Sequence, residues 1–554
     1  MLTHRLTAGL LAASLAFAAG WGGAAHAAST QDAVRLPDLG GSAQAMLSPH
    51  EARQYGANML HKMRSMHLVL DDPLVHDYLN DVGYRLVAHS DNPQQQFTFF
   101  VVNTSVINAF AAPGGYIGVN AGLIDLTHSE SELAAVMAHE IGHITQHHLE
   151  RAFEASKKDL PLMALVLLGA IAASAAQGNQ GYVYGNNRYH SGSDTAMGVL
   201  AAGMGLIQQR KINFTRKDEV EADRIGIQTL AASGYNPDAM ASFFQRMENT
   251  VGSNGSIPAL LKTHPVTLNR IADSKARAGA LKAEYENNKV PPISLEQWRK
   301  TTAPIRYVND PAELTATSQT GDGDPTLYAL MRERVRVLSH DPDWAVKYYR
   351  NHMHRKGFKT PATVYAYALA LTRDHQGDKA IAQLKPLLAK YPSNLPMRLA
   401  MAGALDQDGQ AHKALQLYAA LNAGAPHNRA IVIAYSKALI GNKSEAHARQ
   451  ATALLKPLLD NETGPQMFQT YARASEIAGH KVDAAEAWAN ASYLAGRPFD
   501  AMEQLKRILD NKDLNYYQRA RIQADVNQLR PILMELQKRH IRTRDRRGGA
   551  GRTG

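Results

Sequence analysis

Small residues recur at a fixed spacing between residues 325 and 536, and that recurrence limits what this region can fold into more than any other feature. Gly377, Gly409 and Gly441 are 32 residues apart, while Ala380 and Ala414, like Pro392 and Pro426, are 34 apart. Gly479 and Ala484 continue the phase less regularly. The text between these marks is rich in Ala and Leu at helical spacing, so each unit reads as two helices joined by a turn. One such pair cannot bury its apolar face alone. Stacking against neighbours of the same kind gives an all-α solenoid, whose concave surface suits the holding of protein partners.

With Tyr365, Tyr418 and Tyr435 near the expected aromatic positions, the unit resembles the tetratricopeptide repeat; an unrelated helical solenoid is the alternative. Residues 301–324 upstream are rich in Pro, Thr, Asp and Gly without apolar periodicity and read as a linker. Residues 28–300 mix helical text with a few strand-like stretches, which predicts an α+β domain with a small β-sheet in a chain that is mainly α. Two domains suit 554 residues, a length too great for one core.

The N-terminus carries Arg5, an apolar run from about Leu6 to Ala19, and Ala25-His26-Ala27. This is the pattern of a secretory signal peptide, residues 1–27, and the run is short for a membrane anchor. Export would permit disulfides, yet the chain has no cysteine. A thiol nucleophile and cysteine-held zinc are thereby excluded, so a bound metal must rest on His and carboxylate. The net charge of +10 does not point to nucleic acid. Residues 538–554 hold seven Lys and Arg against one Asp, and with Arg5 removed the rest carries about +3. Residues 537–554 read as a basic, disordered tail, able at most to touch anionic headgroups or RNA transiently.

The chemistry concentrates in AAVMAHEIGHITQHHLE, residues 134–150. Ser129 and Glu132 upstream fit a capping box, so a helix starts there. On it His139 and His143 are one turn apart, about 40° around the axis, and face the same way. Two such imidazoles can grip one zinc ion, and Glu140 is placed to act as general base on an attacking water. In a chain with 23 histidines the motif needs a third ligand for support. A histidine ten places after the first, behind a glycine at seven, is one route, but those places hold Leu149 and Gln146. His147 and His148 miss that register. His147, one turn beyond His143, reads as an ordinary polar position at the helix end, with a hydrogen bond near the site as the alternative.

The other route is a carboxylate from a second helix. In FTRKDEVEADRIGIQTL, residues 214–230, Glu219, Ala222, Asp223, Gly226, Ile227 and Leu230 share one face, while Lys217, Glu221, Arg224 and Gln228 share the other. Two carboxylates on an apolar face are costly unless they meet a cation. Glu219 is thus the expected third ligand. Asp223 stands behind it, to orient a ligand histidine or move a proton, and the outward Glu221 is the weaker candidate.

H-E-x-x-H on one helix, then T-R-K-D-E-V-E-A-D-R-I-G some 75 residues on, is similar to the HtpX-related and CaaX-prenyl-protease-related gluzincin metalloproteases. With export and C-terminal repeats, the chain resembles their β-barrel assembly-enhancing type of the Gram-negative periplasm over nearly its whole mature length. The resemblance implies a zincin-like metalloprotease domain and one Zn²⁺ per chain, held by His139, His143 and Glu219. It implies Glu140 as catalytic base and Asp223 as a supporting or proton-donating acid. THPVTLNRIADS, residues 263–274, supplies His264 and Arg270. Comparable His-Pro segments in the resembled group would bring His264 to the zinc's open position, as oxyanion donor or removable fourth ligand; a structural role is the alternative.

FTFFVVNTSVINAFAAPGGYIGVNAGLI, residues 97–124, predicts a hairpin turning at Pro113-Gly114-Gly115. Tyr116 to Val119 are expected as the exposed edge to which substrate backbone adds, a plain structural hairpin being the alternative. Residues 160–176 and 196–207 are uncharged but short for spans, and read as buried or membrane-adjacent helices over the site, joined by a flexible loop. The activity implied by the resemblance is that of an endopeptidase on misassembled outer-membrane proteins, its repeats recruiting substrate or the β-barrel assembly machinery; the apolar segments and the basic tail add peripheral membrane contact as an expectation. The competing expectation is a non-catalytic, chaperone-like assembly factor with structural zinc or none.

Overall fold

The computed structural model describes residues 48–155, 216–254, 258–288, 327–441, 443–461, 464–512 and 514–548. The segments at 1–27, 160–176, 196–207 and 301–324 lie outside the described residues. The fold is mainly α with one small sheet, followed by an all-helical region.

Two capped helices open it. In α1 (Pro49–Ser65) Ser48 and Glu51 close a capping box, and in α2 (Pro73–Val87) Asp72 accepts from the Val75 amide. Three strands follow: β1 (Thr98–Val102), β2 (Ala109–Ala112) and β3 (Tyr116–Asn120). The turn at Pro113-Gly114-Gly115 holds both glycines at positive φ (82° and 86°), where a side chain would be strained. The sheet order corrects one expectation. β3 is central, antiparallel to β2 on one side and parallel to β1 on the other, so Tyr116 to Val119 are not an edge. A parallel partner from before the hairpin leaves no local mark in the sequence. β1 and β2 are the outer strands, and β2 packs on the helix that carries His139 and His143.

Next come α3 (Ala121–Leu126), α4 (Glu130–Thr145), α5 (His148–Ala155), α6 (Arg216–Ala232), α7 (Ala239–Asn254), α8 (Ala259–Thr263) and α9 (Leu268–Asn288). Ser129 caps α4 through the Glu132 amide at 3.2 Å. Glu132 does not reciprocate as in a capping box: its carboxylate accepts from the His128 amide at 2.7 Å and pairs with Arg246. α4 is buried from Glu132 to Thr145 and runs against α6. Glycines permit that approach. A Cβ on Gly142 would lie 3.2 Å from the Ala222 carbonyl oxygen, and one on Gly226 3.1 Å from the His139 backbone nitrogen.

From α10 (Leu327–Leu338) to α21 (Tyr516–Gly548) the described residues form twelve α-helices. Alternate helices begin at Leu327, Pro361, Leu395 and Arg429, 34 residues apart each time, which is the period read from the sequence. Gly409 and Gly479 end helices at positive φ, the left-handed cap that glycine adopts without cost. The basic segment from 537, expected to be disordered, continues α21 as far as Gly548. Among the described residues no helix is long and apolar enough to cross a membrane.

The helical region grips the first one at both ends. Tyr328 on α10 donates to the Thr127 carbonyl at 2.6 Å, in the turn that precedes α4. Arg334 forks onto Asp72 with both bonds at 2.7 Å and donates to Tyr365 at 2.9 Å. Far along the run, Tyr493 meets His61 of α1 edge-on at 4.6 Å. Asp72 and Arg334 are mostly buried, so removing one partner strands the other. Arg334→Met is expected to cost about 3 kcal/mol. In urea the helical region should then come away before the first region unfolds, replacing one transition with two by circular dichroism and tryptophan fluorescence.

Candidate metal centre

Three elements converge. α4 presents His139, Glu140 and His143, α6 presents Glu219 and Asp223, and the turn after α8 presents His264, all buried. His139 Nε2 lies 3.0 Å from His143 Nε2 and 3.4 Å from His264 Nδ1. Glu219 Oε1 lies 2.9 Å from His264 Nδ1 and 3.6 Å from His143 Nε2, and its Oε2 lies 3.6 Å from His139 Nε2. A tetrahedral ion with bonds of about 2.0 to 2.1 Å sets its ligand atoms about 3.3 to 3.4 Å apart, so this donor set suits one zinc-sized cation. The chemistry agrees: burial, with His139, His264 and His148 beside it, pushes His143 far below its usual value, toward the neutral form a metal requires.

Behind these donors stands Arg270 of α9. It donates to both oxygens of Asp223 at 2.7 and 2.8 Å, approaches Glu219 Oε2 at 3.0 Å, and donates to the Pro265 carbonyl at 2.8 Å. Asp223 Oδ1 in turn lies 2.9 Å from His139 Nδ1, the place of a group that orients a metal-binding imidazole. Burial pushes Asp223 up, but His139 and Arg270 outweigh it and hold the carboxyl at about 2. A depressed carboxylate stabilises the fold fully above its unfolded value near 4 and loses that contribution as pH falls toward 2. Metal-free wild type should therefore exceed Asp223→Asn by about 2 kcal/mol at pH 5, with the gap closing by pH 2 in thermal melts.

Glu140 is 1% exposed, and its Oε1 has no hydrogen-bond partner; His264 Nε2 is 3.7 Å away. Burial alone would lower His264, but the Glu219 and Glu140 carboxylates prevail and push it up to about 9. Beside them a small cavity of about 20 Å³ has an apolar wall of Val136, Met240, Phe243 and Leu260. Glu221, which the helical projection turns outward, is half-buried and meets His148 at 3.2 Å. His148 reaches the site: its Nδ1 is 2.7 Å from His143 Nδ1. A continuous helix would have brought His147 there. The chain instead breaks at Gln146 and takes φ 56° at His147, without a glycine to announce the turn.

A buried H-E-x-x-H helix, faced by a glutamate from a second helix, defines a zinc metalloprotease. The model of peptidase family M48 matches residues 73–278. The chain is 30% identical to the β-barrel assembly-enhancing protease of Yersinia pestis over 502 residues, 90% of this chain and 92% of that one. It is 29% identical to the protein of the same name from Escherichia coli K12 over 524 residues, covering 91% and 93%. The chain belongs to the β-barrel assembly-enhancing proteases of peptidase family M48.

Proposed function

We propose that this chain is a periplasmic zinc endopeptidase that removes misassembled outer-membrane β-barrel proteins, with its helical repeats, of tetratricopeptide type, recruiting the substrate or the assembly machinery. The observation that carries it is the convergence of four buried donors beside the Glu140 carboxylate, whose Oε1 accepts no hydrogen bond. The name shared by the relatives supports the substrate class, and the signal-peptide pattern supports the compartment. His139, His143 and Glu219 would hold the ion. A zinc ion held there would supply Lewis-acid polarisation of the scissile carbonyl and acidification of the attacking water. Glu140 takes that water's proton and returns it to the leaving amine. Asp223, gripped by Arg270, keeps His139 in register. Substrate backbone pairs with β2, an outer strand that packs against α4.

The test is cleavage of a purified, unfolded β-barrel precursor by the mature full-length chain, with chelator and after zinc is restored. Cleavage must stop and return; cleavage indifferent to chelation overturns the proposal.

His264 favours one refinement. Its Nδ1 takes the fourth place of the donor set, so it shuts the site until displaced. His264→Ala is expected to raise cleavage of an unfolded precursor at least several-fold at saturating zinc. A fall of ten-fold or more would instead make His264 a donor to the transition state. Stoichiometric zinc without cleavage by either protein would favour the non-catalytic assembly factor.

A further inference from the structure

The metal-facing imidazoles of His139 and His143 are supported from behind by different devices. His139 Nδ1 meets a carboxylate directly, that of Asp223. His143 Nδ1 meets another imidazole, His148, at 2.7 Å, with the rings edge to face and 4.8 Å between centroids. His148 is 1% exposed and stands at the first position of α5, where the turn through His147 folds the chain back onto α4. Its far nitrogen, Nε2, lies 3.2 Å from Glu221 Oε2. Arg151, one turn along α5, donates to that same oxygen at 3.2 Å and to Asp218 at 2.9 Å.

We propose that His148 is a positioning residue for the metal-binding ring of His143, locked in the one tautomer that can serve by Glu221 and Arg151. The proposal rests on the metal site argued above. A neutral imidazole has one N–H and one lone pair. His143 turns Nε2 toward the other donors, 3.0 Å from His139 Nε2, so its proton belongs on Nδ1 and must be donated. His148 Nδ1 is then the acceptor. Its own proton is left on Nε2, where Glu221 accepts it. The hydrogen bonds run in one direction from His143 through His148 to Glu221, and Arg151 anchors the end.

The intervening imidazole also has an electrostatic rationale. Glu140, Glu219 and Asp223 already place three carboxylates in the buried site, with the Arg270 guanidinium close to Glu219 and Asp223. A further carboxylate against His143 would add a buried charge without a counterion. Glu221 keeps its charge at the protein surface, a quarter exposed, and still sets the tautomer of the ring that touches His143. His148, Asp218 and Glu221 are also close enough to share a cation. Arg151 already supplies positive charge to both carboxylates, which disfavours a second ion there.

The test compares His148→Asn with His148→Leu, side chains of nearly equal shape of which only the first accepts a hydrogen bond at the Nδ1 position. Zinc affinity of the full-length chain is measured by chelator competition, and metal-free stability by thermal melting. Wild type must first bind one zinc per chain, which checks the site itself independently of His148. His148→Leu is then expected to weaken zinc about 10- to 100-fold, and His148→Asn no more than a few-fold. The metal-free melting points of the two should agree. Equal affinities in the two variants overturn the proposal, as does a second equivalent of zinc in wild type that both variants lose. Should the Leu variant fail to fold, Glu221→Ala, a change nearer the surface, decides. It must weaken zinc several-fold by releasing the tautomer, and unchanged affinity overturns the proposal.

Discussion

A Glu140→Gln protein is expected to bind zinc as wild type does and to hydrolyse an unfolded substrate at least about 10²- to 10⁴-fold more slowly, the usual contribution of a positioned general base. The substitution keeps the shape of a side chain that is 1% exposed and removes its capacity to take a proton. Glu140 is not among the four convergent donors, so the ion should stay. Its Oε1 has no hydrogen-bond partner, a costly state for a buried carboxylate with only a structural task. Zinc content by elemental analysis and single-turnover cleavage separate the two effects. Loss of the metal together with activity would place Glu140 in the coordination shell.

The second large effect is expected at Arg270. Arg270→Met retains an unbranched apolar stem but removes the guanidinium that lies over the Phe244 ring and strips the counterion from Asp223 and Glu219, both at most 3% exposed. Breaking a buried ion pair from one side costs about 3–5 kcal/mol, because the stranded charge remains. In thermal melts the loss should be larger without metal than with it, since a bound cation relieves Glu219 but does not touch Asp223. Adding Asp223→Asn to Arg270→Met should restore part of the stability, as removal of the second partner does for buried pairs. The Arg270 bond to the Pro265 carbonyl adds a further expectation. The turn that carries His264 loosens, and proteolytic nicking there should rise.

What was legible in the sequence was periodic. One turn separates His139 from His143 and Glu219 from Asp223, and in the structure these four side chains meet across two helices. The 34-residue recurrence likewise reappears in the spacing of helix starts. What escaped was non-local or depended on a break in the period. Asp72 and Arg334 are 262 residues apart, and nothing near either announces the other. The central place of β3 follows from a parallel partner that no local pattern could reveal. His148 needed knowledge that α4 ends at Thr145 and that His147 adopts a left-handed conformation, a role in which histidine is tolerated more often than most residues. The pairing of Glu221 escaped for the same reason: its face points away from Glu219, and its partner appears only once the chain has turned.

The most direct test of the account is anomalous diffraction at the zinc absorption edge from crystals of the metal-loaded, full-length chain. One strong peak per chain is expected, about 2.0 to 2.1 Å from a nitrogen of His139, a nitrogen of His143 and an oxygen of Glu219. A peak at His148, Asp218 and Glu221 instead, or none between α4 and α6 at stoichiometric zinc, would contradict it.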